Sequence, residues 1–283
     1  MTNGVRVLLA TSFHEDLAAI TGFHLNWQAA LSGRMVTIAH LSATTRRKML
    51  GELAEQNLLP SAEGLIVNPV SIPTRFGSAL PMMIHNHQTA TRMGIPASHI
   101  CLASPYLYAL QPSLDDVIAS FDCGLPTATY DLHKNWHWHD CAASDTRLIA
   151  LVKHLGTTMR IGRADGVFMS RDIFNAMLRL VNKFFSPGEI ANIDPIYPLE
   201  EVLFTTILPA MLGSAGRIGA TRARVWEPGD PLTKDKMRAA ITSGLHASAK
   251  RIPQSASHPV RQVVLANLPG YLTLNARLGT TEA

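Results

Sequence analysis

Apolar runs of strand length alternate with stretches of helical spacing through residues 1–121. "VRVLLATS" (Val5–Ser12) is apolar and β-rich, and it stops at a polar, helix-starting segment, "HEDLAAITGFHLNWQAAL". "RMVTIAHLS" (Arg34–Ser42), "GLIVNPV" (Gly64–Val70) and "HICLAS" (His99–Ser104) repeat the strand pattern. Between the last two, "GSALPMMIHNHQTATRMG" predicts a helix that ends at Gly94. After the fourth strand, "PSLDDVIASF" offers Ser113 as an N-cap with two acids in the first turn. Strands alternating with helices in this order predict an α/β fold with a mostly parallel sheet covered on both faces.

The pattern breaks at "DCGLPTATYDLHKNWHWHDCAASD" (Asp122–Asp145), which is polar and aromatic and has no clear period. This predicts a long excursion from the sheet, a type of segment that often carries substrate contacts. Helical spacing returns in "SRDIFNAMLRLVNKFF" and again after Pro198. From Pro253 onward the signals are weak, and the tail is predicted to wrap the surface. There is no internal repeat or low-complexity segment.

With 47% hydrophobic and 16% charged residues, 283 residues suffice for a sizeable core in one large domain or two small ones. The net charge of +4 is not gathered into a basic run, so a small anionic ligand such as a diphosphate suits it as well as a polynucleotide. Cys101, Cys123 and Cys141 form no CxxC, and an odd count reads as reduced and intracellular. No apolar stretch approaches the roughly 20 residues that span a bilayer. A soluble, cytoplasmic protein is expected, with peripheral membrane contact left open.

Three constellations carry candidate chemistry. In "YPLEEVLFTTI" (Tyr197–Ile207), about 100° per residue puts Leu199, Val202, Leu203, Thr206 and Ile207 on one helical face. Glu201 then points away and Glu200 lies on the flank; either acid could serve only the helix dipole, or one could take a proton from a substrate. "NWHWHD" (Asn135–Asp140) sets His137 and His139, with His133 nearby, among Trp136 and Trp138; metal chelation, sugar stacking and plain packing are all open readings. Arg222 and Arg224 in "TRARVW", with Lys250 and Arg251 in "SAKRIP", could hold a diphosphate in place of a divalent cation, or be ordinary solvated charges. There is no P-loop, "GRADG" is no GxGxxG, and Ser104 stands in no G-x-S-x-G.

Taken in order, four blocks resemble the core-2 and I-branching β-1,6-N-acetylglucosaminyltransferase family. "RFGSALPMMIHNHQTATRMGIPASHICLASPYLYALQPSLDDVIASF" resembles the family's helix leading into its "LLSG-D-P" strand. "DGVFMSRDIFNAML" resembles its "W-x-x-LSR" segment, and "YPLEEVLFTTI" its "PDE" segment. "RARVWEPGDPLTKDKMRAAITSGLHASAKRI" resembles its closing region. The blocks run from Arg75 to Ile252, roughly two-thirds of the chain.

The resemblance implies a glycosyltransferase A-type fold: a mixed, mostly parallel central sheet flanked by helices, in a single domain over 1–283. Within it, 1–121 is expected to be the nucleotide-binding half, 122–252 the acceptor and catalytic half, and 253–283 a C-terminal tail. It implies an inverting glycosyltransferase that needs neither metal nor cofactor and takes a nucleotide-sugar donor, UDP-linked, and a glycan or lipid-linked glycan acceptor. Glu201 matches the family's general base. Lys250 matches its diphosphate-contacting lysine, Arg222 or Arg224 its arginine, and Arg251 is a neighbouring candidate. Glu200, Trp136 and Trp138 are the acceptor-side candidates. A binding protein on the same scaffold that has lost turnover is the alternative, and a metal hydrolase built on His133, His137 and His139 is a third reading.

Overall fold

A computed structural model describes residues 7–268, apart from 15–16, 57–62, 74–78, 195, 227–228, 230, 254 and 256. The strands are β1 (Val7–Phe13), β2 (Met35–Leu41), β3 (Leu65–Val67), β4 (His99–Leu102), β5 (Tyr108–Ala109) and β6 (Cys123–Leu125). They continue as β7 (Tyr130–Asp131), β8 (Arg160–Ile161), β9 (Phe168–Ser170), β10 (Ile218–Ala220), β11 (Ala223–Val225) and β12 (Ser248–Lys250). The helices are α1 (Leu17–Ala30), α2 (Ala43–Gln56), α3 (Ala79–Arg92), α4 (Leu114–Ala119), α5 (His139–Ser144) and α6 (Thr146–Leu155). After them come α7 (Arg171–Val181), α8 (Pro187–Ala191), α9 (Leu199–Leu212), α10 (Lys234–Thr242) and α11 (Pro259–Asn267).

Seven strands form the central sheet in the order β10-β6-β9-β4-β1-β2-β3. All neighbours are parallel except β9, which runs antiparallel to both β4 and β6. This is the expected α/β architecture: a mixed, mostly parallel sheet with helices on both faces. The sequence of β1 explains the burial. Val7, Leu9 and Phe13 enter one core cluster with α1, α10 and α11, while Leu8 and Ala10 enter the other with α3, α6, α7 and α9. A strand covered on both sides reads as a continuous apolar run rather than an alternation.

Several expectations need correction. Val5 and Arg6, the start of the predicted first strand, lie outside the described residues, as do Arg75–Ser78. The third strand shortens to Leu65–Val67. Ser113 stands at the N-cap of α4 but adopts φ 58° and makes no side-chain cap bond. The excursion does not begin at Asp122, because Cys123–Leu125 is an interior strand of the sheet. Three residues are too few to show a period, and the neighbours β9 and β10 make them a strand. The tail does not merely wrap the surface: α11 buries Val260, Val264 and Leu265 in the core. Its Arg261 is 3% exposed and lies 5.4 Å over the Tyr108 ring. Gly22 leaves it room, since a Cβ there would collide with the guanidinium. Among the described residues, no helix is long and apolar enough to cross a membrane.

Candidate active site

The site forms where the carboxyl end of β4 meets the loop between β8 and β9. Gly166 N–H donates to Leu102 O at 2.8 Å, and Leu102 N–H donates to Val167 O at 2.8 Å, which pins the loop to the strand end. Gly166 has φ 78°, where any side chain would be strained. Asp165 precedes it and points at β12, where its Oδ2 lies 2.6 Å from Lys250 Nζ. The Asp165 side chain is 12% exposed and that of Lys250 28%.

The helix α9 brings its acids to the same place. Tyr197 is fully buried and its hydroxyl donates to Asp145 Oδ2 at 2.9 Å, which fixes the chain as it enters the helix. The first turns are strapped to β8. Gly162 N–H donates to Glu201 O at 3.1 Å, Thr205 Oγ1 donates to Arg160 O at 2.7 Å, and Arg160 N–H donates to Thr206 Oγ1 at 2.9 Å. Gly162 is required by closeness: a Cβ would meet Thr205 Cγ2 at 2.8 Å and Pro126 Cγ at 2.9 Å.

The two glutamates have separate surroundings. Burial pushes Glu201 up to about 6 and the charge of Asp165 adds to it, while Arg163, Lys250 and an indole hydrogen bond from Trp136 oppose the rise. That range suits a group that exchanges protons near neutrality. Glu200 is pushed up to about 7, mainly by burial, with further help from the charges of Glu201 and Asp165. The Leu80 amide at the start of α3 donates to it, and its Oε2 has no hydrogen-bond partner among the described residues. The helical wheel puts Glu200 on the flank, but α9 is packed on all sides from Leu199 to Leu208 except at Glu201. Glu200 is 5% exposed, so it is closed to an acceptor and serves the α3 N-terminus instead.

The basic candidates divide. Val225 is the register partner of Lys250 and Ala249 that of Arg224. Since side chains alternate along a strand, Arg224 projects from the face opposite Lys250, and it lies 5.6 Å over the Trp226 ring. Arg251 turns away as well, with φ 68° and its guanidinium donating to Trp226 O at 2.6 Å. Arg222 is exposed and lines a cavity of about 250 Å³ together with Gly166, Thr221 and Ser248, next to the Asp165 loop. Arg163 and Asp165 are not among the residues expected from the sequence. Their signal lies in "GRADG", two opposite charges between glycines, a pattern that suggests a charged turn as readily as the dinucleotide motif it fails to match.

The excursion reaches the site through Trp136. Turns from His133 O to Trp136 N–H, 3.0 Å, and from Trp136 O to His139 N–H, 2.9 Å, set its direction. Trp138 opens α5 and packs on the second core cluster, its ring 4.6 Å from that of His137. His139 Nδ1 pairs with Asp140 Oδ1 at 2.8 Å and the His133 ring lies against Tyr130. Among the described residues no three His, Cys, Asp or Glu side chains converge as a metal site, so the hydrolase reading loses its ligand set.

No family model and no curated protein matches the sequence. Solved structures do superpose on the chain. The galactosyltransferase LgtC, in complex with donor and acceptor sugar analogs, has a TM-score of 0.38 at 9% identity and covers 98% of this chain and 97% of its own. The glycosyltransferase GlyE of Streptococcus pneumoniae TIGR4 gives 0.42 at 8% identity, covering 98% of this chain and 64% of that one. A nucleoside-diphosphate-sugar pyrophosphorylase from Vibrio cholerae RC9 gives 0.41 at 9% identity over 76% of this chain and 90% of that one. Superpositions this loose carry no weight for function, which has to be read from the residues of the site.

Proposed function

We propose that the protein is an inverting, metal-independent glycosyltransferase of the A type, transferring a sugar from a nucleotide donor, UDP-linked, to a glycan or lipid-linked glycan. The observation that carries this reading is that one loop touches both groups: its Gly162 N–H donates to Glu201 O at 3.1 Å, and its Asp165 lies 2.6 Å from Lys250. A carboxylate beside a fixed cation has the two functions the reaction needs. Glu201 takes the proton of the acceptor hydroxyl as its oxygen attacks the anomeric carbon. The departing diphosphate gains negative charge, and Lys250 stabilises it more in the transition state than in the ground state. Arg163 and Arg222 are the nearby guanidiniums placed to assist, and they replace Arg224 and Arg251 in the proposed role. The site lies at the carboxyl ends of parallel strands, where open α/β sheets bind ligands. Trp136 and the exposed Tyr130 offer aromatic surface for an acceptor sugar on the Glu201 side. The proposed setting is the cytoplasm, where sugar nucleotides are made.

The test is Glu201→Gln assayed against a panel of sugar nucleotides with candidate acceptors. Transfer is expected to fall by roughly 10²–10⁴-fold while calorimetric donor binding survives. Turnover that Glu201→Gln leaves unchanged overturns the assignment. Donor binding with no turnover in the wild type, for any acceptor, favours the binding-protein alternative.

A further inference from the structure

The Lys250 ammonium is held by an acid of the protein itself. Asp165 Oδ2 lies 2.6 Å from Lys250 Nζ, and both side chains are mostly buried. A half-buried lysine with a long flexible stem is best held in one direction by an anion at its ammonium. A permanent partner, however, would leave it nothing to offer a leaving group. We propose that Asp165 is a resident counter-ion: it holds the Lys250 ammonium in place between turnovers and yields it to the diphosphate of the donor. This rests on the glycosyltransferase reading and adds a residue that the reading does not supply.

The charges around Asp165 decide the consequence of displacing it. The helix α9 contributes Glu200 and Glu201, the loop itself contributes Arg163, and β12 contributes Lys250. Asp165, Glu201 and the largely protonated Glu200 therefore share Lys250 and Arg163, with Arg222 on the far side of the loop's Gly166. When two ionised phosphates take Lys250, Asp165 is left facing two glutamates with its cation withdrawn. Glu200, whose buried carboxyl already keeps its proton up to about pH 7, then takes up the remaining fraction of a proton from solvent, and Glu201 stays available as the base. Sugar nucleotides have no phosphate that titrates near neutrality, so protons counted on binding belong to the protein.

The test is titration calorimetry of the full chain with UDP-glucose, UDP-galactose, UDP-N-acetylglucosamine and GDP-mannose. Asp165→Asn keeps the shape and removes the charge, and it is expected to bind the recognised donor roughly two- to fivefold more tightly than the wild type, the scale of one lost partly exposed ion pair. Unchanged or weaker binding by Asp165→Asn overturns the proposal, since it would make the aspartate an orienting group that stays in the complex. Should that variant fail to fold, the wild type decides. At pH 6.5, in two buffers of different ionisation enthalpy, binding is expected to take up a measurable fraction of a proton, and zero uptake overturns the idea. A wild type that binds no sugar nucleotide defeats the functional reading itself and this inference with it.

Discussion

Two polar regions of this molecule are built in opposite ways. One is neutral and closed. Asn86 of α3 donates to Thr11 O at 3.1 Å and Ile38 O at 2.9 Å, and it accepts from Asn68 Nδ2 at 2.9 Å. Thr89 then donates to Asn68 Oδ1 at 3.3 Å. The Asn86 and Asn68 side chains are both hydrogen-bonded, so these amides tie α3 across β1 and β2 without titrating in any ordinary pH range. The other region, around Glu201, is ionic and under tension. Carboxylates there raise one another, and Glu200 Oε2 is left unpartnered among the described residues. Satisfied neutral networks give rigidity, while crowded ionic ones keep protons exchangeable.

That contrast can be broken at four points. The largest effect is expected for Glu201→Gln: transfer lost by roughly 10²–10⁴-fold, with the thermal midpoint nearly unmoved. A collapse of stability instead would make this acid structural like Asn86. Next is Asn86→Ala, which leaves backbone carbonyls of β1 and β2 and the Asn68 amide unpaired and should cost about 2–4 kcal/mol in urea unfolding. Turnover per folded molecule should be retained, and its loss would merge the two regions into one.

Third is Glu200→Gln. The folded state holds the Glu200 proton up to about pH 7, above its ordinary value, so its contribution to stability is full below about pH 4.5 and is lost as pH rises through 7. Glutamine cannot ionise and can still accept the Leu80 amide. The variant should therefore gain on the wild type between pH 5 and pH 8, reaching on the order of 1–3 kcal/mol. Parallel stability curves across that window would refute a buried titrating acid. The smallest effect is expected for Trp136→Phe. The indole supports the ionised form of Glu201, so its loss should move the acid limb of the kcat profile upward from about pH 6 by a few tenths of a unit. A fall in acceptor affinity with an unmoved limb would assign Trp136 to stacking alone.

Some of this was legible in the residues and some was not. β1, β2 and β4 could be read because continuous apolar runs need burial on two faces, which few arrangements other than a covered parallel sheet provide. "CGL", "FMS" and "IGA" could not, being three residues each and strands only by virtue of their neighbours. The first turn of α9 was found from "YPLEE", but not which acid faces inward. That depends on the packing of α3 and β8 around the helix, which no helical wheel contains.

What the sequence determined alone was the class of fold, and it offered Glu201 and Lys250 among its candidates, because apolar patterning and ordered short motifs are local properties. That Asp165 reaches Lys250, and that Arg224 and Arg251 turn elsewhere, was decided by tertiary structure. Lys250 and Asp165 are 85 residues apart along the chain. Electrostatic effects depend on distance and burial in space, and the chain acquires both only when the loop closes on the end of β4.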